Sequence, residues 1–167
     1  MNTILSREDL KERIAALKGE GKRIVFTNGC FDILHIGHVK YLEQAKGLGD
    51  ILVLALNSDA SVRSIKGPLR PVVPQNERAY IMGSLKVVDY VTIFDEDTPL
   101  DLIESVEPDI LVKGGDWSPD AVVGRESVEK RGGSVVIVPQ VSGTGADLPA
   151  STTSVIERIM NAYKEGS

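Results

Sequence analysis

His35 and His38 are the two histidines of this 167-residue chain, and both stand in Val25-Phe-Thr-Asn-Gly-Cys-Phe-Asp-Ile-Leu-His-Ile-Gly-His38. The apolar start of that frame reads as a strand, its middle as a tight loop, and His35-Ile36-Gly37-His38 as the mouth of a helix. A helix N-terminus offers unpaired N–H groups and a partial positive charge, so two imidazoles placed there converge on a spot that already favours anions. Such a spot suits an α-phosphate under attack. One histidine alone would more simply cap or pack. Both in this frame, with Gly37 between them to let backbone come close, point to chemistry.

The form Thr27-Asn-Gly-Cys-Phe-Asp32 followed by His35-Ile-Gly-His38 resembles the nucleotidyltransferase signature of the cytidylyltransferase-like superfamily, and that resemblance implies nucleotidyl transfer. A phosphate that attacks the α-phosphorus of a nucleoside triphosphate is already an anion and needs no strong general base. The barrier is charge crowding at phosphorus. It falls when cations, donors and helix N-termini are fixed around the pentacoordinate transition state. The expected set is His, Lys, Arg and backbone N–H, without an acid–base carboxylate pair, and the chain has that set. Asn28 and Gly29 would form the turn that brings phosphate to the backbone. Asp32 would orient the loop or a ligand hydroxyl, with an Asx-type turn as the equal alternative. Cys30 is most simply a small packed side chain.

Ala60–Tyr80 holds Arg63, Lys66, Arg70 and Arg78 against one acid, Glu77, in a chain of net charge −5. Lys66-Gly-Pro-Leu-Arg-Pro71 is stiffened by prolines and opened by one glycine, as suits a loop that closes over phosphates. Solvated surface charge is the plainer reading of scattered Lys and Arg. The sign asymmetry favours phosphate binding for Lys66 first and Arg70 second, while Arg78 on a helix equally suits an ion pair. Lys113-Gly-Gly-Asp-Trp117 combines a cation, two flexible residues, a carboxylate and an aromatic. Asp116 would accept from sugar hydroxyls and Trp117 would line a sugar or base, or the stretch is a glycine turn plugged by the indole. Ser151-Thr-Thr-Ser154 opens the last apolar helical pattern. Ser154 with Glu157 reads as a capping box, yet the further hydroxyls make a cradle for β- and γ-phosphates. Asp95–Asp109, with seven acids and no base, reads as solvated face and connecting loops. No cluster has the ligand count of a dedicated metal site, so Mg2+ would be held mainly by nucleotide phosphates and water.

What must position these groups is a sheet. Ile24–Thr27, Ile51–Leu56, Tyr90–Phe94, Ile110–Val112 and Val135–Val138 are short, rich in Val and Ile and barely alternating, as strands covered on both faces are. Helical segments separate them. Ser6 and Asp9 open one over residues 6–18; others are expected at Val39–Leu48, Gln75–Leu85, after a Thr98-Pro99 cap, within Pro119–Arg131 and from about Ser154 to Tyr163. The pattern predicts an α/β fold: a doubly wound, Rossmann-like, five-stranded parallel sheet in a single domain, with its core over residues 22–159. Ligands in such sheets bind at strand carboxyl ends where strand order reverses. Asn28–Asp32 and Lys113–Trp117 are the unusual loops after the first and fourth strands, which puts the switch point between those two.

Composition narrows the partners. Nineteen basic against 24 acidic residues lack the basic surplus of a nucleic-acid binder. A single cysteine excludes a disulfide framework and a Cys-rich zinc site. No apolar run approaches membrane-spanning length, and the first residues lack a basic-then-apolar leader layout. The expectation is a soluble cytoplasmic protein that engages neither nucleic acid nor membrane. Its oligomeric state stays open, with a homodimer among the options.

Several motifs follow one another in a telling order: Thr27-Asn-Gly-Cys-Phe-Asp-Ile-Leu-His-Ile-Gly-His38, Leu48-Gly-Asp, Asn57-Ser-Asp59, Lys66-Gly-Pro-Leu-Arg-Pro-Val72, Glu96-Asp-Thr-Pro99, Lys113-Gly-Gly-Asp-Trp117 and Ser151-Thr-Thr153. From about Lys22 to Ile159 the chain resembles the D-glycero-β-D-manno-heptose 1-phosphate adenylyltransferase family of the cytidylyltransferase-like nucleotidyltransferases. That resemblance implies a reaction of ATP with the heptose 1-phosphate, giving ADP-heptose and pyrophosphate for lipopolysaccharide core assembly. Some members fuse this domain behind a sugar kinase; 167 residues leave no room for one, so the expectation here is the stand-alone form. It implies His35, His38 and Lys66 as catalytic contacts to the ATP phosphates. Thr27, Asn28, Gly29, Cys30, Phe31 and Gly37 would border the nucleotide from the first loop. Asn57, Asp59, Arg78 and Lys113 would do so from the other strand ends, and Ser151, Thr152 and Thr153 at the phosphate end. Asp32, Arg70, Gly115, Asp116 and Trp117 would meet the sugar phosphate. The chain departs from the family in a long Gly143-Thr-Gly-Ala-Asp-Leu-Pro149 stretch. Glycerol-3-phosphate cytidylyltransferases, the nearest rivals, carry an arginine shortly before their Ser-Thr hydroxyls; this chain has none between Arg131 and Arg158. An inactive nucleotide-binding module is the rival of another class, and the intact histidines and Lys66 argue against it.

Overall fold

The structure, a computed structural model, describes residues 3–115, 117–139 and 151–164. Strands β1 (Ile24–Gly29), β2 (Ile51–Asn57), β3 (Tyr90–Phe94), β4 (Ile110–Gly114) and β5 (Ser134–Val138) form one parallel sheet in the order β3-β2-β1-β4-β5. Among the described residues seven α-helices accompany it: α1 (Arg7–Gly19), α2 (Ile36–Lys46), α3 (Asp59–Lys66), α4 (Gln75–Gly83), α5 (Leu100–Val106), α6 (Arg125–Lys130) and α7 (Thr152–Lys164).

Strand alternation sorts the core into two layers. Ile24, Phe26, Val53, Ala55 and Leu111 pack with Leu10 and Ile14 of α1, Leu102 and Ile103 of α5 and Val128 of α6. Val25, Leu52, Leu54, Leu56 and Val112 pack on the other face with Leu42 and Ala45 of α2 and Ala79 and Met82 of α4. Both faces are covered, which is why the strands read as unbroken apolar runs. Chain order reverses between β1 and β4, which are direct neighbours, so their carboxyl ends open the expected crevice.

Carboxylates pin the strand starts. Asp109 Oδ2 accepts from Ile24 N at 2.7 Å, and Asp89 Oδ2 accepts from Leu52 N at 2.6 Å. Asp109 is therefore not the solvated charge its acidic surroundings suggested, and Glu96 is ion-paired with Arg7. The chain before α1 also joins the sheet edge: Leu5 N donates to Val91 O at 2.9 Å and Val91 N to Thr3 O at 2.8 Å, covering part of an exposed strand.

Four helix starts differ from expectation. α2 begins at Ile36, three residues ahead of Val39, with His35 at its cap. α3 was not expected; Ser58 caps it, with Oγ accepting from Ser61 N at 3.2 Å, and charge drew the reading of that window away from its helical pattern. α5 starts one residue late, with Pro99 rather than Thr98 at the cap and no side-chain capping bond. α7 starts at Thr152, capped by Ser151 rather than Ser154: Ser151 Oγ accepts from Ser154 N at 3.1 Å, and Ser154 Oγ donates to Ser151 O at 2.9 Å. Gly143–Pro149 and Asp116 lie outside the described residues.

Candidate active site

β1 ends at Gly29, and the chain turns sharply into α2. Phe31 takes φ +43°, a left-handed conformation that costs a non-glycine residue roughly 1–2 kcal/mol. Its buried ring lies over Gly29, where an added Cβ would stand 2.9 Å from Phe31 Cε2. Gly29 thus makes room for the aromatic that backs the histidines, and the Phe31 and His38 rings are 4.9 Å apart between centroids. His35 occupies the cap position of α2 but makes no capping bond. Its ring instead stacks on His38, with centroids 3.7 Å apart and planes at 28°. Both Nδ1 atoms are buried without a hydrogen-bond partner, a state that demands an explanation in a folded protein. Burial pushes His38 down to about 4; His35 pushes the same way, against the pull of Asp32. Burial lowers His35 as well. At neutral pH the pair is uncharged.

Two buried side chains bolt this turn to the Lys66 segment. Asp32 accepts from Val72 N and Val73 N at 2.9 and 2.8 Å and from Arg70 Nε at 2.6 Å. Burial alone would raise its carboxyl; the two amides and Arg70 outweigh that and hold it below the ordinary carboxylate range. Arg78, with no exposed side-chain surface, donates from Nε to Val73 O at 3.0 Å and from Nη1 to Cys30 O at 2.5 Å. Its Nη2 donates to Asn57 O at 2.9 Å and Asp59 Oδ1 at 2.8 Å. The ion-pair alternative describes Arg78 as it stands; its fork faces protein on every side. Asn57 Nδ2 is turned to Ser61 Oγ, and Thr27 Oγ1 to the Tyr41 hydroxyl. Thr27, Asn57, Asp59 and Arg78 therefore stand behind the wall of the site.

The wall itself encloses a cleft of 490 Å³ above the ends of β1 and β4. Asn28, Gly29, Cys30, Phe31, Asp32, His35, Gly37 and His38 line it from the first loop. Lys66 and Arg70 face them, Lys113 comes from β4, Gly115 and Trp117 from the chain after it, and Ser151, Thr152 and Thr153 from the start of α7. Gly114, within the Lys113–Trp117 motif, also lines it, and Tyr41 and Pro139, which complete it, were missed. Tyr41 follows His38 by three positions on the same helix face, a spacing that was available in the sequence. Lys66 is exposed and has no ion pair among the described residues. Lys113 Nζ donates to Asn28 Oδ1, and burial lowers it to about 8. Burial pushes the Cys30 thiol up, although Lys66, Arg78 and Arg70 pull it down, so it stays protonated. The cleft thus gathers three cations, two neutral imidazoles and helix N-termini, while Asp32, its carboxylate, is fully engaged.

Two larger grooves, of 870 and 1140 Å³, lie elsewhere, one beside Arg13 and the start of β3 and one between α5 and α6. Neither includes a histidine or a strand carboxyl end, so size does not locate the chemistry here.

Residues 26–158 match the family described as cytidylyltransferase-like. Over 152 residues the chain is 59% identical to the Bifunctional protein HldE of Geobacter sulfurreducens, covering 91% of this chain and 30% of that protein. It is 54% identical over 160 residues to the Bifunctional protein HldE of Syntrophotalea carbinolica, covering 96% and 31% respectively. It therefore spans under a third of the length of these curated relatives. The crystal structure of the lipopolysaccharide core biosynthesis protein from Thermoplasma volcanium matches with a TM-score of 0.61 at 34% identity, covering 74% of this chain and 99% of that one.

Proposed function

The chain belongs to the cytidylyltransferase-like family and is a nucleotidyltransferase, and on that premise we propose that it transfers the adenylyl group of ATP to D-glycero-β-D-manno-heptose 1-phosphate. The products are ADP-heptose, for lipopolysaccharide core synthesis, and pyrophosphate. The observation that carries the chemistry is the stacked His35–His38 pair with unpartnered Nδ1 atoms at the uncapped start of α2. Support for the acceptor comes from the Lys66–Val72 and Lys113–Trp117 motifs and from kinship with the HldE proteins.

An oxygen of the sugar phosphate attacks the α-phosphorus as the bond from that phosphorus to the α,β-bridging oxygen breaks. Both electrons of that bond leave with pyrophosphate, and the acceptor phosphate needs no proton removed. His35 and His38 donate to oxygens of the transferring group, where charge builds up in a poorly solvated pocket. Lys66, at the end of α3, approaches from the opposite wall. The hydroxyls and N–H groups of Ser151–Thr153 hold the β- and γ-phosphates. Lys113 and Trp117 border the nucleoside and sugar. Mg2+ would arrive on the triphosphate and neutralise phosphate charge: both Asp32 oxygens are engaged, and no three His, Cys, Asp or Glu residues among those described are placed to hold an ion. No helix among the described residues is long and apolar enough to cross a membrane; the reading places the reaction in the cytoplasm, where ATP is made.

Tracing label tests the reading. With ATP labelled at the α-phosphorus and heptose 1-phosphate, label should appear in the nucleotide sugar while unlabelled pyrophosphate is released. Label that stays in ATP, or appears as free AMP, contradicts it.

A further inference from the structure

Tyr41 is one turn past His38 on α2 and reaches both strands of the switch point. Its hydroxyl shares a 2.6 Å hydrogen bond with Thr27 Oγ1 of β1 and donates at 3.1 Å to Val112 O of β4. The ring stacks towards Phe31, centroids 6.4 Å apart at 28°, and Phe31 in turn leans on His38. The other edge of the ring fills the space over Gly114, where an added Cβ would stand 3.0 Å from Tyr41 Cε2. Thr27 is fully buried, so this bridge is dry. Burial pushes the phenol up to about 12, which keeps it a donor.

Tyr41 packs against the same apolar layer as Leu42 and Ala45, which seat α2 on the sheet with no polar atom; what packing alone does not need is its hydroxyl bridge. Among the described residues of α2, Tyr41 alone is hydrogen-bonded to two strands at once, and β4 gives up a side chain at Gly114 to admit it. We propose that Tyr41 is a positioning residue: its phenol locks α2 to the ends of β1 and β4 and, through Phe31, fixes the His38 ring at the phosphate site. The effect on turnover rests on the adenylyl-transfer reading; the effect on His38 does not.

Because the chain has two histidines, imidazole NMR resolves His38 directly. Tyr41→Phe keeps the ring and removes the bridge; Tyr41→Leu removes both; Gly114→Ala drives a methyl into the ring. Each should shift the His38 imidazole signals and its titration midpoint. Each should also lower kcat, by about tenfold for Phe and on the order of a hundredfold for Leu, with KM for ATP within about twofold, as for a misplaced catalytic group. Leu10→Ala, in the opposite layer of the core, should lower Tm with neither change. Placing Gly114→Ala in a Tyr41→Leu background should add little, because the clashing ring is gone. If Tyr41→Leu does not fold, Tyr41→Phe and Gly114→Ala read the same contact. The proposal is overturned if those two leave kcat and the His38 signals as in wild type while Tm falls as in Leu10→Ala. It is also overturned if Gly114→Ala costs as much without the ring as with it. A wild-type protein that makes no ADP-heptose, yet whose His38 follows Tyr41, would reject the substrate reading and keep this one.

Discussion

His35 and His38 lie face to face, with ring centroids 3.7 Å apart and both Nδ1 atoms sealed from solvent and unpartnered. Two imidazolium ions would repel strongly at that distance, and burial disfavours even one. A triphosphate reverses the balance by bringing negative charge to the pair. Binding of a non-hydrolysable ATP analogue near pH 6 should therefore take up as much as one proton, and affinity should weaken as pH rises towards 8. Calorimetry in buffers of different ionisation heat reads the proton count. An uptake equal to that of His38→Gln would show that His38 does not respond to the phosphates.

The same depression links His38 to stability. Its midpoint is about 4 in the fold against 6.5 when free. As pH falls, the unfolded chain takes the proton first, so stability present above pH 6.5 is lost on the way down to 4. The loss by pH 5 should be about 2 kcal/mol. Denaturant unfolding at pH 7 and pH 5 should show that difference between wild type and His38→Gln; parallel pH profiles would contradict it.

Asp32 holds Arg70, Val72 and Val73, so the Lys66 segment is fastened at its far end. The portion left to move is the exposed stretch from Lys66 to Leu69, where Leu69 is 89% exposed. Hydrogen exchange should gain protection at Gly67 and Leu69 on ATP binding, with little change at Val72 and Val73. Lys66→Ala should reduce turnover far more than Tm. Loss of stability alone would return Lys66 to the surface role.

Arg78 is the most constrained cation of the molecule, with four acceptors from three separate segments. Arg78→Met strands Asp59 and three carbonyls and should cost about 3–5 kcal/mol in denaturant unfolding. Arg78→Lys should recover little, since a point charge cannot reproduce the fork. A lysine variant within about 1 kcal/mol of wild type would mean the geometry matters less than the charge.

How far the sequence foretold this arrangement depends on the range of the interactions. The five strands were readable because burial on both faces leaves a local apolar signature. The switch point was readable because functional loops follow β1 and β4. The histidine pair was evident from spacing along one helix start. Arg78 was not resolved because its partners Cys30 and Asn57 lie 48 and 21 residues away. The spacing of Tyr41 from His38 was a local signal for its place in the cleft, but its bridge to Val112, 71 residues distant, was not legible. Sequence leaves the turn and ligand roles of Asp32 equal, because the amides of Val72 and Val73 that engage it come from a segment 40 residues away. α3 escaped because the Ala60–Tyr80 window was read for its four cations, although Ser58 at the cap was a local signal.

If this cleft joins an adenylyl group to a heptose phosphate, as proposed, a matrix of nucleotides against acceptors will reveal it most directly. A site built to pair sugar hydroxyls leaves its own polar groups unsatisfied when they are missing, so discrimination should be steep. Measured by pyrophosphate release, kcat/KM should be highest for ATP with D-glycero-β-D-manno-heptose 1-phosphate and lower by about 10³ or more for CTP with glycerol 3-phosphate. A preference for CTP and glycerol 3-phosphate, or equal rates for both pairs, would contradict the account.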